Sequence, residues 1–298
     1  MELTAEYKQK VSAALLQGRE NFGGSNQQYA KKFGFTASVY SRLKKGEIDG
    51  LLGSSKWLSI GRALNIQAKD QKWNLARTKV FEAIEEDVIN CQKHGISLMY
   101  VDECEIGKSA AAKYLAQAMK NVFRIDCSQC KAKTQFIKAI AAELGLETVG
   151  RIADIKAEIK YCINILHKPV LIFDEAGDLE YKAFLEIKEL WNAAEYNCGF
   201  YLIGADGLRE KFKKGIASKK VGFRENFSRF GSRYMSTVPK QKEEKMAFYR
   251  KLVTDVLSVN VQDKSKIPQL VTKCLASDLE GDIAGLRRAK YLVQLQSA

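Results

Sequence analysis

Gly107-Lys108-Ser109 stands directly before an alanine-rich helical stretch and shortly after the apolar run at residues 97–101. Strand, loop, Gly-Lys-Ser and helix, in that order, form the local context that seats a phosphate chain. Backbone N–H groups of the loop and of the first helical turn converge on phosphate oxygens. In this arrangement Ile106, Gly107 and Ala110 contribute main-chain donors, and Lys108 reaches the outer phosphates. Ser109 sets its hydroxyl on a magnesium ion. The loop departs from the usual glycine-rich spacing at two places. Asp102 occupies the position five residues before Gly107, and Glu105 fills another position often held by glycine. Acids beside a phosphate site lower its positive potential, so weakened nucleotide binding is expected here.

The matching half of such a site is Val170-Leu171-Ile172-Phe173-Asp174-Glu175. Four apolar residues run into two carboxylates at the C-terminal end of a strand, which is where parallel sheets bind ligands. Asp174 is the expected magnesium aspartate, and Glu175 the residue that polarises the attacking water. Around these motifs, short continuous apolar runs near residues 97–101, 122–127, 169–176 and 199–205 alternate with helical patterns. That alternation predicts a parallel sheet covered on both faces.

The first 66 residues read differently. A helix is expected over 3–21. Ser25 and Gln28 form a capping-box signal for a second helix that stops near Gly34. Thr36 opens a third, stopped by Gly46, and residues 56–66 close a small all-α core. Two short helices joined through a glycine-containing turn are a helix-turn-helix signature, whose third helix faces the major groove. Its expected exposed residues are Ser38, Tyr40, Ser41, Arg42, Lys44 and Lys45, whose hydroxyls and cations suit phosphate and base-edge contacts. The expected organisation is a helix-turn-helix domain at 1–66, a linker at 67–80, an α/β core at 81–240 and a helical tail at 241–298.

The net charge of +13 is segregated: +8 over residues 1–80, +10 over 207–251, and −5 over the rest. Two basic blocks flanking a mildly acidic middle point to a polyanionic partner, double-stranded DNA in the first instance. Lys213, Lys214, Lys219 and Lys220 in the second block are expected DNA contacts, as are Lys131, Lys133 and Thr134. Three prolines and the absence of low-complexity tracts argue against long disordered regions. No apolar run approaches roughly 18 residues, and MELTAEYKQK lacks the apolar core of a signal peptide, so a cytoplasmic location is expected. Cys127 and Cys130 form a lone CxxC without a second pair, and only His94 and His167 are present, which argues against a zinc site.

Glutamate directly after the magnesium aspartate, in DEAGDLE, resembles AAA+ ATPases. Under that resemblance the strand FYLIGADG ends at the sensor 1 position, where Asp206 is the only polar candidate. FRENFSRFGSRYM resembles the segment that supplies an arginine finger to a neighbouring subunit, which implies Arg229, with Arg233 second. GDIAGLRRAK resembles sensor 2 and implies phosphate contact by Arg287. The order of helix-turn-helix, compact AAA+ core and helical tail resembles the MuB family, related to TnsC. That resemblance implies ATP and Mg2+ as cofactors, ATP-dependent filaments or rings on duplex DNA, delivery of target DNA to a transposase, and a bacterial, phage or mobile-element setting. The alternatives left open are a helicase loader or replication initiator, and a nucleotide-binding regulator with little hydrolysis. If phosphates dominate DNA binding, affinity should fall log-linearly with salt, by roughly 1,000-fold or more between about 50 and 200 mM, with little sequence preference. A flat salt dependence with a defined recognition sequence, measured by anisotropy, would instead make the N-terminal helices an operator reader.

Overall fold

A computed structural model of the chain describes residues 3–64, 66, 73–276 and 285–296. Among these, four parallel strands form one sheet: β1 (Ser97–Val101), β2 (Val122–Asp126), β3 (Val170–Asp174) and β4 (Gly199–Gly204), in the order β1-β4-β3-β2. The strand leading into the phosphate loop is therefore separated from β3 by β4. Outside β1, Met235 adds a short parallel bridge through its N–H to the Met99 carbonyl (2.8 Å) and its carbonyl to the Val101 N–H (2.9 Å).

The strands are mostly apolar because both faces are covered, with Arg124 and Asp126 of β2 and Asp174 at the end of β3 as the charged exceptions. Leu171 and Phe173 face one core, Val170 and Ile172 the other. The second core is closed by α5 (Lys79–His94), α6 (Lys108–Ala118), α12 (Lys242–Asn260), α13 (Ile267–Leu275) and α14 (Leu286–Gln296). The first is closed by α7 (Lys133–Glu143), α8 (Ile152–Ile165), α9 (Tyr181–Ala193), α10 (Asp206–Ala217) and α11 (Phe223–Arg229). Of these, α8, α10 and α11 are not anticipated above. In α10 the apolar stripe is only Leu208, Phe212 and Gly215, set among basic residues that dominate its pattern.

The N-terminal helices are α1 (Ala5–Gly18), α2 (Asn26–Lys32), α3 (Ala37–Lys44) and α4 (Ser54–Ala63). The capping box forms as expected: Ser25 Oγ accepts from the Gln28 N–H, and Gln28 Oε1 accepts from the Ser25 N–H. Gly34 turns α2 into α3 at φ +70°, a conformation glycine adopts without strain. Tyr40 departs from expectation. It is 3% exposed, its ring meets Tyr29 edge-on at 5.9 Å, and it belongs to the core with Leu43 and Trp57 rather than to a DNA-facing surface. Residues 67–72 of the expected linker, and 281–284 of the sensor 2-like segment, lie outside the described residues. So do residues 1–2, 65 and 297–298 of the expected flanking regions. Thr78 caps α5, so that helix begins inside the span assigned to the linker.

These helices pack on the α/β core. The Asn21 carbonyl accepts from the Asn121 N–H (2.9 Å), and Asn21 Nδ2 donates to the Gln117 carbonyl (2.7 Å). Phe22 meets Phe123 of β2 edge-on at 6.0 Å, and Lys31 and Lys32 pair with Glu147 and Glu143. Gly145, at φ +71°, lets α2 approach: a Cβ there would sit 2.2 Å from the Gln28 carbonyl oxygen. Gly145→Ala should therefore cost about 2 kcal/mol or more in denaturant unfolding, from left-handed strain plus displaced backbone. An unchanged midpoint would show that this docking contributes nothing to stability.

Candidate nucleotide-binding site

The phosphate loop spans the residues between β1 and α6. Gly107 is the N-cap of α6 at φ +98°, and no side chain caps the helix. The first backbone N–H groups of a helix lack intrahelical partners, so this start presents donors and the positive end of the helix dipole. Ser109, one residue into α6, donates its hydroxyl to Asp174 Oδ1 at 3.1 Å. The expected pairing of helix and strand is thus made.

Asp174 closes β3 and is completely buried. Its other oxygen, Oδ2, accepts from Arg124 Nε (2.8 Å) and Nη2 (2.6 Å). The same guanidinium reaches Asp126 Oδ2 at 3.1 Å. Burial alone would lower the Arg124 pKa, but the charges and hydrogen bonds of Asp174 and Asp126 outweigh it and raise the pKa. Arg124 was missed in the sequence, although strand alternation sets it on the same face as Asp126. Glu175 follows in a left-handed conformation (φ 54°, ψ 42°) that non-glycine residues rarely adopt, a form of strain that clusters at functional sites. Burial and the Asp174 charge raise its pKa, with Lys108 opposing.

Lys108 donates its ammonium to the carbonyls of Asp102 (2.8 Å) and Glu103. Burial lowers its pKa, against the pull of Glu175, Asp102 and Asp174. Among the described residues no group of three or more His, Cys, Asp or Glu side chains is placed to hold a metal. Magnesium does not require such a cage, since it keeps several waters and shares its shell with phosphate oxygens. An uncapped helix start beside the Ser109–Asp174 pair fits a triphosphate with its magnesium. When bound, that ion neutralises charge on the phosphates.

The acids of the loop do something other than oppose phosphate. Asp102 is 5% exposed, and its carboxylate accepts from the N–H groups of Glu103 (2.9 Å), Thr237 (2.6 Å) and Val238 (3.0 Å) and from the Tyr100 hydroxyl (3.1 Å). Glu103 holds the Tyr249 hydroxyl (2.7 Å) and Lys245 (2.6 Å), both on α12. Glu105 takes the Leu286 N–H on its carbonyl (2.8 Å) and pairs with Arg287 at 3.4 Å. Each acid binds a different part of the segment from residue 237 to α14. Neutral donors thus satisfy the buried Asp102 carboxylate, while Lys245 and Arg287 pair with Glu103 and Glu105.

The remaining site residues are more dispersed. Arg287 is brought to the loop through Glu105, with its side chain largely exposed. Asp206 opens α10 just after β4, exposed, and pairs with Arg209 at 3.3 Å. Arg229 stacks 4.9 Å above Trp191 and is held by Asn192 Oδ1 at 2.7 and 3.2 Å. Trp191 in turn donates its indole N–H to Ser97 at the start of β1. Arg233 is exposed, and its charge partly offsets the burial that raises the Asp87 pKa.

Ser38, Ser41, Arg42, Lys44 and Lys45 are exposed on or just after α3, Arg42 pairing with Glu47. Lys214 and Lys219 are exposed, Lys213 pairs with Glu210, and Lys220 lies 3.9 Å above the Tyr181 ring. Thr134 is exposed. Lys131 pairs with Asp178, and Lys133 neutralises the buried carboxylate of Glu186 at 2.6 Å, which gives both lysines a role within the fold.

Residues 105–212 match the model of the AAA domain. The parallel sheet, the phosphate loop before α6 and the acidic end of β3 define an AAA+ P-loop fold, which implies nucleotide binding; it carries N-terminal helices and a C-terminal helical tail. A solved structure with this fold is the Orc1 protein of Aeropyrum pernix in complex with DNA, at 13% identity and a TM-score of 0.52, over 76% of this chain and 60% of that one. The likeness is one of fold, and the chain spans 60% of that protein's length. No curated protein matches the sequence. Among the described residues no helix is long and apolar enough to cross a membrane. Asp102→Gly, which restores the usual glycine, should lower stability by about 2 kcal/mol or more by orphaning buried donors, without tightening nucleotide binding. Tighter binding at unchanged stability would return Asp102 to the role of an electrostatic obstacle.

Proposed function

We propose that the chain is an ATP-dependent DNA-binding protein that assembles on duplex DNA and presents it to a transposase as target. The observation that carries the nucleotide part is the Ser109–Asp174 hydrogen bond, which joins the phosphate-loop helix to the acidic strand end. ATP lies along the loop, with Lys108 on the outer phosphates and magnesium between them, Ser109 and Asp174. Glu175 polarises the attacking water, and hydrolysis to ADP and phosphate is slow until DNA or the transposase stimulates it.

The position of Arg229 supports self-association. Its stacking partner Trp191 is bonded to Ser97, the first residue of β1, roughly 13 Å along the strand from Val101. An arginine at that end of the sheet cannot reach its own phosphate loop, which supports a role on the nucleotide of a neighbouring copy. Arg233 is the second choice for that role. Nucleotide shared between copies makes assembly depend on ATP, as filaments or rings. DNA contacts fall to the exposed hydroxyls and cations of α3, to Thr134, and to Lys213, Lys214, Lys219 and Lys220.

The domain order favours the target-delivery reading. The likeness in fold to the Orc1 protein bound to DNA favours a second, a replication initiator or helicase loader. ATP turnover with and without duplex tests the shared core. Turnover should rise with DNA and vanish in Glu175→Gln, with ATP binding retained. Arg229→Ala should abolish ATP-dependent assembly in sedimentation while leaving monomer binding intact. A turnover rate unaffected by Glu175→Gln would exclude hydrolysis at this site. Transposon-end insertion into DNA coated with the protein and ATP should be enhanced if target delivery is right and unchanged if the protein is an initiator.

A further inference from the structure

The Arg124 guanidinium makes two hydrogen bonds to one oxygen of a carboxylate that has no exposed surface. The other oxygen is taken by Ser109. A buried carboxylate without compensation is costly, and charge-assisted hydrogen bonds from a guanidinium compensate it strongly. Arg124 comes from β2, where Arg124 lies beside Ile172 and Asp126 beside Asp174 in the strand register. It is therefore fixed by the sheet rather than by a loop. Its side chain is 20% exposed, so it borders the site without being sealed from it. Asp126 and Glu175 place further negative charge nearby.

We infer that Arg124 is a built-in counter-cation for Asp174, a positioning residue that makes nucleotide binding only weakly dependent on a divalent metal. The inference rests on the nucleotide site proposed above and concerns how that site is charged. A triphosphate approaching Asp174 meets a carboxylate already neutralised, so it binds with little help from a divalent ion. A divalent ion arriving at the same carboxylate meets a resident positive charge and gains correspondingly less. Metal and nucleotide are thus less strongly coupled than in a site with a bare aspartate. Ser109 keeps Asp174 Oδ1 aligned in either case.

The test is the affinity of the full chain for a fluorescent ATP analogue, measured once with excess EDTA and once with Mg2+. The ratio of the two dissociation constants reports the coupling. In the wild type the ratio should be small. In Arg124→Met binding in EDTA should weaken, and the ratio should rise on the order of tenfold. Arg124→Lys, which keeps the charge, should stay close to wild type. If Arg124 served packing alone, Arg124→Met would weaken both conditions equally; an unchanged or smaller ratio overturns the assignment. Should Arg124→Met fail to fold, Arg124→Gln keeps a donor toward Asp174 and removes the charge, and its ratio should rise in the same way. An unchanged ratio in a folded Arg124→Gln would also overturn it. A wild type that binds the analogue in neither condition refutes the nucleotide site itself and takes this assignment with it.

Discussion

A carboxylate buried at the end of a central strand is the constraint around which the site is organised. Asp174 lies in the middle of the sheet's C-terminal edge, with β2 on one side and β4 on the other. Burial there is tolerable only because Ser109 and Arg124 satisfy both oxygens. These two contacts lock three elements together: α6 through Ser109, β2 through Arg124, and β3 through Asp174 itself. The start of α6, with its unpaired N–H groups, is thereby held against the strand end where a metal-bound phosphate is to be received. Glu175 is forced into a left-handed conformation immediately beyond, which turns it out of the strand.

The loop that precedes α6 is held from a second direction. Asp102, Glu103 and Glu105 fasten it to Thr237 and Val238, to α12 and to the start of α14. Lys108 meanwhile spends its ammonium on the carbonyls of Asp102 and Glu103. A phosphate that draws Lys108 away must compete with these carbonyls, and the loop it frees is the one that grips the C-terminal helices. The N-terminal helices dock on the far side of the molecule, where Phe22 meets Phe123 on β2, the strand that also carries Arg124. Both flanking regions therefore contact the elements that build the site.

Much of this was legible in the sequence because continuous apolar runs and their polar ends carry strong signals. Val170–Asp174 could hardly be anything but a buried strand with a carboxylate at its tip, and Gly107-Lys108-Ser109 fixes the start of a helix. The capping box at Ser25 was equally local. What escaped depends on contacts between residues far apart in the chain. Asp102 reads as an obstacle to phosphate until Thr237 and Val238, 135 and 136 positions away, are seen to occupy it. Arg124 reads as a charge in an apolar strand until Asp174 is placed beside it. Tyr40 carries a hydroxyl in a polar helix, and only the Tyr29 ring shows that it points inward. α10 went unrecognised because its basic residues outnumber its apolar stripe, and its anchor, Lys211, binds the carbonyls of Gly177 and Leu179 just beyond the acidic strand end.

Titration calorimetry of the intact chain with ATP and magnesium bears most directly on the proposal that a triphosphate is seated at the head of α6. Heat of binding at a single site, abolished by Lys108→Ala and unaffected by removal of the exposed lysines of α10, is the predicted result. No detectable heat, with or without duplex DNA, would contradict it and leave a basic, helix-flanked α/β protein whose acidic strand end serves only the fold.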